Sequence, residues 1–400
     1  MIVVLACVLA LSSADTATIG ASATQLRNAL HITNTDIGLL VAVNSLLGAV
    51  ASIPFGVLAD RTRRTRTLGV SIVVWGLAML WSAAVSSFGQ LLLARVFLGL
   101  VTASAGPVVA SLIGDYFPSD ERGKIYGYVL TGELLGAGVG FAVSGDIAAL
   151  SWRAAFVSLA LPTFVLARFV LRLPEPVRGG IQPLLAENSL ETGAESETGA
   201  VVDSDGGEQR TDEAPPGEAA PDETDAQSLA RERGVRPDPD LVLGYEGRSM
   251  GLLEATCYIL RVPTNVTLIV ASACGYFYLA GVQTFAVEFA KEQYRINQAL
   301  ANLLLLVVGG GAVLGVLVAG RLSDGLLRRH YLNARIMVTA VAAVAATVLF
   351  IPALLTRRVS TAVLYLVVAA FMLAAQNPPI DAARLDIMPW FLWGRAEGVR

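Results

Sequence analysis

Three charged side chains stand inside long apolar segments of the chain: Asp15, Arg95 and Glu133. A charge at the centre of a bilayer costs about 2.5–3.5 kcal/mol on insertion scales, so such a residue usually faces a cavity or a partner. An arginine lowers the pKa of a neighbouring carboxyl whereas burial raises it, which is the balance that a proton carrier needs. We predict that Asp15 or Glu133 takes up a proton and that Arg95 alternates between a carboxylate and an anionic substrate. A structural ion pair is the alternative.

The elements that position these residues are membrane-spanning helices. Of the 400 residues, 54% are hydrophobic and only 16% are charged, a balance that suits a lipid environment. A helix needs about 20 mainly apolar residues to cross the hydrocarbon core. Ten such segments are predicted: 2–24, 37–58, 67–87, 90–113, 124–147, 152–173, 265–289, 299–322, 335–355 and 360–379.

A basic hairpin after the second predicted helix is repeated after the eighth. The first copy is Gly56-x3-Asp60-Arg61-x-Arg63-Arg64 and the second is Gly320-Arg321-x2-Asp324-x3-Arg328-Arg329. Equivalent motifs at equivalent places predict a duplicated six-helix unit. An aspartate at such a helix end can accept hydrogen bonds from helix N-termini and arginines and so hold one face of the protein closed. Alternatively, the arginines only set topology and meet anionic lipids.

The six-helix units are separated by a polar segment. Basic loops alternate with less basic ones, which predicts a cytoplasmic N-terminus. Segment 187–227 holds thirteen acidic residues against the single basic Arg210, and it buries too little to fold alone. We predict a first bundle at 1–174, a disordered cytoplasmic linker at 175–262 and a second bundle at 263–400. The linker's apolar end, 249–260, is expected to be an interfacial helix.

Several motifs spread over the first bundle carry a family resemblance. They are Asp15, Gly38-Leu39-Leu40, Gly56 to Arg66, Trp75, Arg95-x3-Gly99, Asp115-x-Phe117-Pro118-x3-Arg122, Gly136-x-Gly138-x-Gly140, Trp152-Arg153-x2-Phe156 and Glu175-Pro176-x-Arg178-Gly179. In these residues the chain resembles the major facilitator superfamily and, within it, the spinster-like branch. The resemblance implies an all-α membrane protein of two pseudo-symmetric six-helix bundles, in which Asp15, Arg95 and Glu133 form one buried cluster. The residues assigned to a cytoplasmic gate are Gly56, Asp60, Arg61, Arg64, Asp115, Arg122, Gly320, Asp324 and Arg328.

Further site candidates lie in the second bundle. The candidates for substrate or proton binding are Tyr276, Tyr278, Gln283, Glu288 and Asn377. Ordinary packing is the alternative for each, and two tyrosines two positions apart cannot share a helical face. Three further charged residues, Asp381, Arg384 and Asp386, are expected in a cytoplasmic loop that belongs to the gate. Because the chain ends where an eleventh helix should begin, the C-terminal two helices are expected to be missing.

No pattern of catalytic residues occurs in the sequence. The histidines, His31 and His330, fall in loops, and nucleophile, phosphate-loop and metal-ligand spacings are absent. We therefore predict no enzyme, cofactor or nucleic-acid partner, but a monomeric, proton-coupled secondary transporter of the plasma membrane. Its substrate would be a small molecule or an amphiphilic lipid such as a lysophospholipid, with a drug or small-metabolite exporter as the alternative. A non-transporting membrane sensor that signals through the acidic linker is the alternative from another class.

Overall fold

The computed structural model describes residues 1–178, 225–235, 238, 241–243 and 250–400, without the side chains of 225–228, 280–288, 298–299 and 302. These residues are helical nearly throughout. The helices are α1 Ile2–Ala21, α2 Ala23–Leu30, α3 Asn34–Arg61, α4 Arg64–Ala84, α5 Phe88–Thr102, α6 Ala105–Tyr116, α7 Arg122–Leu150, α8 Trp152–Val170, α9 Asp225–Glu232, α10 Leu252–Arg261, α11 Pro263–Tyr294, α12 Gln298–Arg328, α13 Ala334–Leu355, α14 Val359–Ala375, α15 Asn377–Ile387 and α16 Trp393–Val399.

Nine helical segments in the described part of the chain are long and apolar enough to cross a bilayer. The number becomes ten if α10 and the start of α11, which meet at 89°, count as one broken span. The predicted all-α membrane fold is confirmed. The prediction of a linker at 175–262 falls largely outside the described residues.

The predicted tenth helix continues beyond its expected end. After α14 the chain enters α15, whose first turn contains Pro378 and Pro379. Proline is tolerated there because the first N–H groups of a helix have no partner within it, so the pair starts a new helix and does not end the old one. Asp381, Arg384 and Asp386 therefore lie on α15, and the expectation that they occupy a loop is wrong.

We call helices α1–α8 the first half and helices α10–α16 the second half. Helix α7 lies at the centre of the fold because it packs on helices of both halves. Within the first half it runs against α1, and across the boundary it runs against α12. Gly132 and Gly136 permit the first contact, since a Cβ atom at either position would overlap the backbone of Ala6 or Ala10. In the same way α16, from the second half, packs on α3 of the first half. The helix pairs α7 with α12 and α16 with α3 are therefore among those that join the halves.

Candidate gate and transport site

The carboxylate of Asp324, near the end of α12, lies against the N-terminus of α7. It accepts hydrogen bonds from the backbone N–H groups of Gly123 at 3.1 Å and Lys124 at 2.6 Å, and it is buried. The first N–H groups of a helix lack partners within it and carry the positive end of the helix dipole, so a carboxylate stabilises them. Because α12 and α7 belong to different halves, this Asp324 contact joins the two halves.

The carboxylate of Asp60, near the end of α3, makes the corresponding contact with α16. Its oxygens accept hydrogen bonds from the backbone N–H of Gly394 at 2.8 Å and of Arg395 at 3.0 Å. The Arg395 side chain adds a hydrogen bond from Nε at 2.9 Å. Here the first half supplies the carboxylate and the second half supplies the helix N-terminus. The Asp60 and Asp324 contacts are therefore the same arrangement with the halves exchanged.

A pair of glycines lets the helices approach at each contact. A Cβ atom built on Gly56 would lie 2.6 Å from the carbonyl oxygen of Gly394, and one built on Gly394 would lie 2.8 Å from that of Gly56. In the same way, a Cβ atom built on Gly320 would press against the carbonyl oxygen of Gly123, and one built on Gly123 would press against that of Gly320. Real Cβ atoms do not approach backbone oxygens so closely, so the four positions require glycine for space.

An arginine–aspartate ion pair accompanies each of the two contacts. Arg64, at the start of α4, forms a buried ion pair with Asp115, and Arg335, at the start of α13, forms one with Asp386. The two aspartates occupy equivalent places in a second repeat, Asp115-x2-Pro118-x4-Gly123 and Asp386-x2-Pro389-x4-Gly394. In each copy a short 3₁₀ turn follows the proline and leads into a helix, α7 or α16, that Asp324 or Asp60 contacts. This second repeat is visible in the sequence, but it was not among the predictions made from it.

The other predicted gate residues surround these pairs. Arg122 donates to the carbonyl oxygen of Gly114 at 2.8 Å and lies over the Trp393 ring at 4.7 Å. By contrast, Arg61 is exposed and donates to the carbonyl oxygen of Met250 at 3.0 Å. Arg328 is also exposed and pairs with Asp120 at 2.8 Å. We call the end of the fold that holds both contacts and these arginines the basic end.

Glu175, in the segment after α8, caps the start of α4. Its carboxylate accepts hydrogen bonds from the N–H of Arg64 at 2.9 Å, the N–H of Thr65 at 2.9 Å and the hydroxyl of Thr65 at 2.6 Å. Burial raises the pKa of Glu175, but these hydrogen bonds to its charged form outweigh burial and hold the pKa below its usual value. The carboxylate therefore stays ionised and stabilises the Arg64 end of α4.

Asp15 and Arg95 form an ion pair deep within the first half. Arg95 Nη1 lies 3.0 Å from Asp15 Oδ1, and both side chains are 1% exposed. The guanidinium also lies over the Phe156 ring at 4.8 Å. Asp15 Oδ2 and the Nε and Nη2 atoms of Arg95 have no hydrogen-bond partner among the described residues. The ion pair is thus buried and close, but only some of its polar atoms have hydrogen-bond partners.

Glu133 does not join the Asp15–Arg95 pair, so the expectation of one cluster is wrong. The charges that act on Glu133 are those of Arg400 and Asp381. Glu133 lies on α7, and the α7 positions that face α1 are occupied by Gly132 and Gly136. Glu133 is rotated by about 100° from Gly132 around the helix, so it lies beside the face that contacts α1. Its charged neighbours Arg400 and Asp381 belong to the second half.

A network of four charges, from α15, α16 and Arg400 directly after α16, lies near Glu133. Arg384 contacts Asp381 and Glu397 at 2.8 Å each, and Arg400 contacts the same carboxylates at 2.6 and 3.1 Å. We call these four residues with Glu133 the interhalf cluster. Within the described part of the chain, Arg384 Nε and Nη1 and Arg400 Nη2 are buried without hydrogen-bond partners.

The remaining sequence candidates divide between the cluster and ordinary packing. Arg400 lies over the Tyr276 ring at 5.3 Å, so Tyr276 borders the interhalf cluster. Tyr278 packs edge-on against Phe350, with ring centroids 5.0 Å apart. Asn377 is the first residue of α15 and is half-buried. The side chains of Gln283 and Glu288 lie outside the described residues.

A helical membrane protein whose two halves exchange equivalent contacts has the architecture of a secondary transporter with two related bundles. A sequence profile described as Major Facilitator Superfamily matches residues 5–390. The chain belongs to this superfamily, whose members are carriers and not enzymes. The predicted family is confirmed.

Individual relatives match over shorter stretches. The chain is 29% identical over 143 residues to the probable L-galactonate transporter of Escherichia coli. This match covers 36% of this chain and 32% of that protein. It is also 29% identical over 167 residues to protein spinster of Drosophila melanogaster, covering 41% of this chain and 28% of spinster. The matches thus span about a third of the relatives' length.

Solved structures share the fold. The proton:xylose symporter XylE, bound to 6-bromo-6-deoxy-D-glucose, superposes with a TM-score of 0.67 at 16% sequence identity. The superposition covers 100% of this chain and 84% of the symporter. At this identity the likeness concerns the architecture alone.

Proposed function

We propose that the chain is a proton-coupled transporter of a substrate that carries an anionic group, and that the interhalf cluster binds this group. The observation that carries the proposal is the set of unpartnered guanidinium N–H groups on Arg384 and Arg400. A buried donor without a partner costs roughly 1–3 kcal/mol, and more when the group is charged. A carboxylate or phosphate oxygen would satisfy these donors.

Glu133 supplies a reason for coupling to protons. In the interhalf cluster the two arginines are balanced by Asp381 and Glu397, so an ionised Glu133 leaves one negative charge in excess. A bound anion would add a second negative charge at a poorly solvated place. Protonation of Glu133 removes this repulsion, so the anion and the proton favour each other's binding. Coupling of this sign moves both in the same direction.

The Asp60 and Asp324 contacts would form the gate of this transporter. Both contacts lie at the basic end and join one half to the other. Rocking of the halves about a central site would separate each carboxylate from its helix N-terminus. Because basic loops face the cytoplasm, we assign this gate to the cytoplasmic side, with the N-terminus and the segment 175–262 on the same side.

Among anionic substrates we favour a small organic acid. The matched Escherichia coli relative is named for L-galactonate, a carboxylate. The resemblance to spinster implies instead an amphiphile such as a lysophospholipid, whose phosphate would meet the same guanidinium groups. A drug exporter without an anionic substrate gives no role to the unpartnered N–H groups of Arg384. We place the transporter in the plasma membrane as a monomer with the bundle division 1–174 and 263–400.

Uptake into proteoliposomes tests the proposal. Labelled L-galactonate and a labelled lysophosphatidylglycerol would be offered separately, with and without an inwardly directed proton gradient. We expect Arg384→Gln to raise KM at least about ten-fold, because a hydrogen bond to a charged group contributes roughly 1.5–3 kcal/mol. We expect Glu133→Gln to abolish the response to the gradient. Asp146→Asn is the matched control, since Asp146 is an exposed carboxylate on the same helix α7.

Three outcomes would contradict parts of the proposal. A response to the gradient that survives Glu133→Gln would exclude Glu133 as the proton carrier. Uptake restricted to a cationic drug would favour the exporter. Absence of flux in the full chain, together with loss of signalling after deletion of residues 187–227, would favour the sensor.

A further inference from the structure

A lateral groove opens between α3 and α4 in the first half. Both helices pack on α5 but make little contact with each other, which leaves a cavity of about 520 Å³. Its wall is apolar over most of its length and includes Phe55, Leu58, Val70, Val74 and Val101. Leu58 and Val70 are 39% and 51% exposed, so the groove opens toward the surroundings of the bundle and not toward its interior.

Two arginines stand at the mouth of this groove at the basic end. Arg63 and Arg66 both line the cavity, and both side chains are exposed. Neither forms an ion pair with any described residue. Their neighbour Arg64 differs, because it is buried and engaged with Asp115 and Glu175. The groove thus has a positively charged mouth and an apolar wall.

The groove lies apart from the gate. On α3, the residues that contact α16 include Ser52, Gly56 and Asp60. Phe55 and Leu58 project from other faces of α3, because successive residues are rotated by about 100° around a helix of 3.6 residues per turn. The described end of α16 therefore does not cover the groove.

We propose that this groove binds one anionic phospholipid from the leaflet at the basic end. The phosphate lies at Arg63 and Arg66, and one acyl chain lies along the apolar wall. From Arg66 to Val74 the groove follows α4 for eight residues, about 12 Å at 1.5 Å per residue. This length is close to one leaflet of a hydrocarbon core of about 30 Å. Charge and length thus fit a lipid that enters sideways from the bilayer.

Native mass spectrometry of the full chain tests the site. The purified protein would be titrated in detergent with phosphatidylglycerol or with phosphatidylcholine that has the same acyl chains. We expect a first phosphatidylglycerol adduct that binds more tightly than the phosphatidylcholine one. The double variant Arg63→Gln/Arg66→Gln should weaken it about thirty-fold, since each basic residue near a lipid phosphate contributes about five-fold. Val70→Trp, which fills the groove without changing charge, should weaken the same adduct.

The control is Arg172→Gln, which removes an exposed arginine in the same half that does not line the groove. Equal weakening by Arg172→Gln would overturn the proposal, because it would indicate nonspecific attraction to basic residues. Unchanged binding in Val70→Trp would overturn the acyl-chain site. Selective binding that emerges only after deletion of residues 187–227 would assign the groove to the chain's own acidic segment, and would also overturn it.

Discussion

Asp60 and Asp324 make equivalent contacts in opposite directions across the boundary between the halves. Each accepts hydrogen bonds from two backbone N–H groups in the first turn of a helix. These belong to Gly394 and Arg395 for Asp60, and to Gly123 and Lys124 for Asp324. A single carboxylate thereby ties a helix end of one half to a helix start of the other. The two contacts join the halves at the basic end, and we expect loss of either contact to release one side of it.

We expect Asp324→Asn to open the basic end more often. The amide removes the charge and one of the two acceptor oxygens, and a hydrogen bond to a charged group contributes roughly 1.5–3 kcal/mol. The neighbouring Ser323 is fully buried, so a Ser323→Cys probe in a cysteine-free background reports opening. Labelling by a membrane-impermeant maleimide should accelerate about ten-fold or more. Asp120→Asn, which removes an exposed ion pair with Arg328, should change the rate little. Equal rates in both variants would contradict the gate.

The glycine at the same contact gives a prediction about stability. A Cβ atom at Gly320 would overlap the backbone of Gly123, whereas one at Gly325 would meet nothing within 4 Å. Both residues lie on α12, so both gain the same helix propensity from alanine. We expect Gly320→Ala to be less stable than Gly325→Ala by about 1–3 kcal/mol, the usual cost of overpacking. Thermal unfolding in detergent measures the difference, and equal melting temperatures would show that the helices can separate without cost.

Much of this arrangement was predictable from sequence because it depends on local patterns. Hydropathy predicted the helices, and the spacing of Gly56 and Asp60, repeated at Gly320 and Asp324, indicated a duplicated motif. The contacts with α7 and α16 were not predicted, although the repeats around Pro118 and Pro389 carried the signal. Glu133 was assigned to the wrong cluster because hydropathy places a residue at a depth in the membrane but does not give the direction in which its side chain points.

The Glu175 cap predicts a dependence of stability on pH. Its pKa in the folded chain lies below the ordinary value of 4.5. A carboxyl whose pKa falls on folding stabilises fully above its unfolded pKa, and the contribution is lost as pH falls through the folded value. We expect Glu175→Gln to lower the melting temperature at pH 7 and the deficit to shrink below pH 4.5. Glu292→Gln, at an exposed position on α11, is the control. A deficit that is constant with pH would mean that the charge has no role.

Variants of the Asp15–Arg95 pair can distinguish a structural role of the pair from a role in carrying protons. Removing one member of a buried ion pair typically costs about 3–5 kcal/mol, because the other charge stays buried without a partner. We expect Asp15→Asn and Arg95→Gln each to lower the melting temperature strongly, and the double variant to recover much of the loss. A double-mutant cycle on thermal unfolding measures this coupling. If the double variant also regains gradient-driven uptake, the pair is structural and Glu133 alone carries the proton. The other outcome is that the double variant has a normal melting temperature but transports without response to the gradient. Asp15 then belongs to the proton path, because stability is restored without the carboxyl group that the path requires.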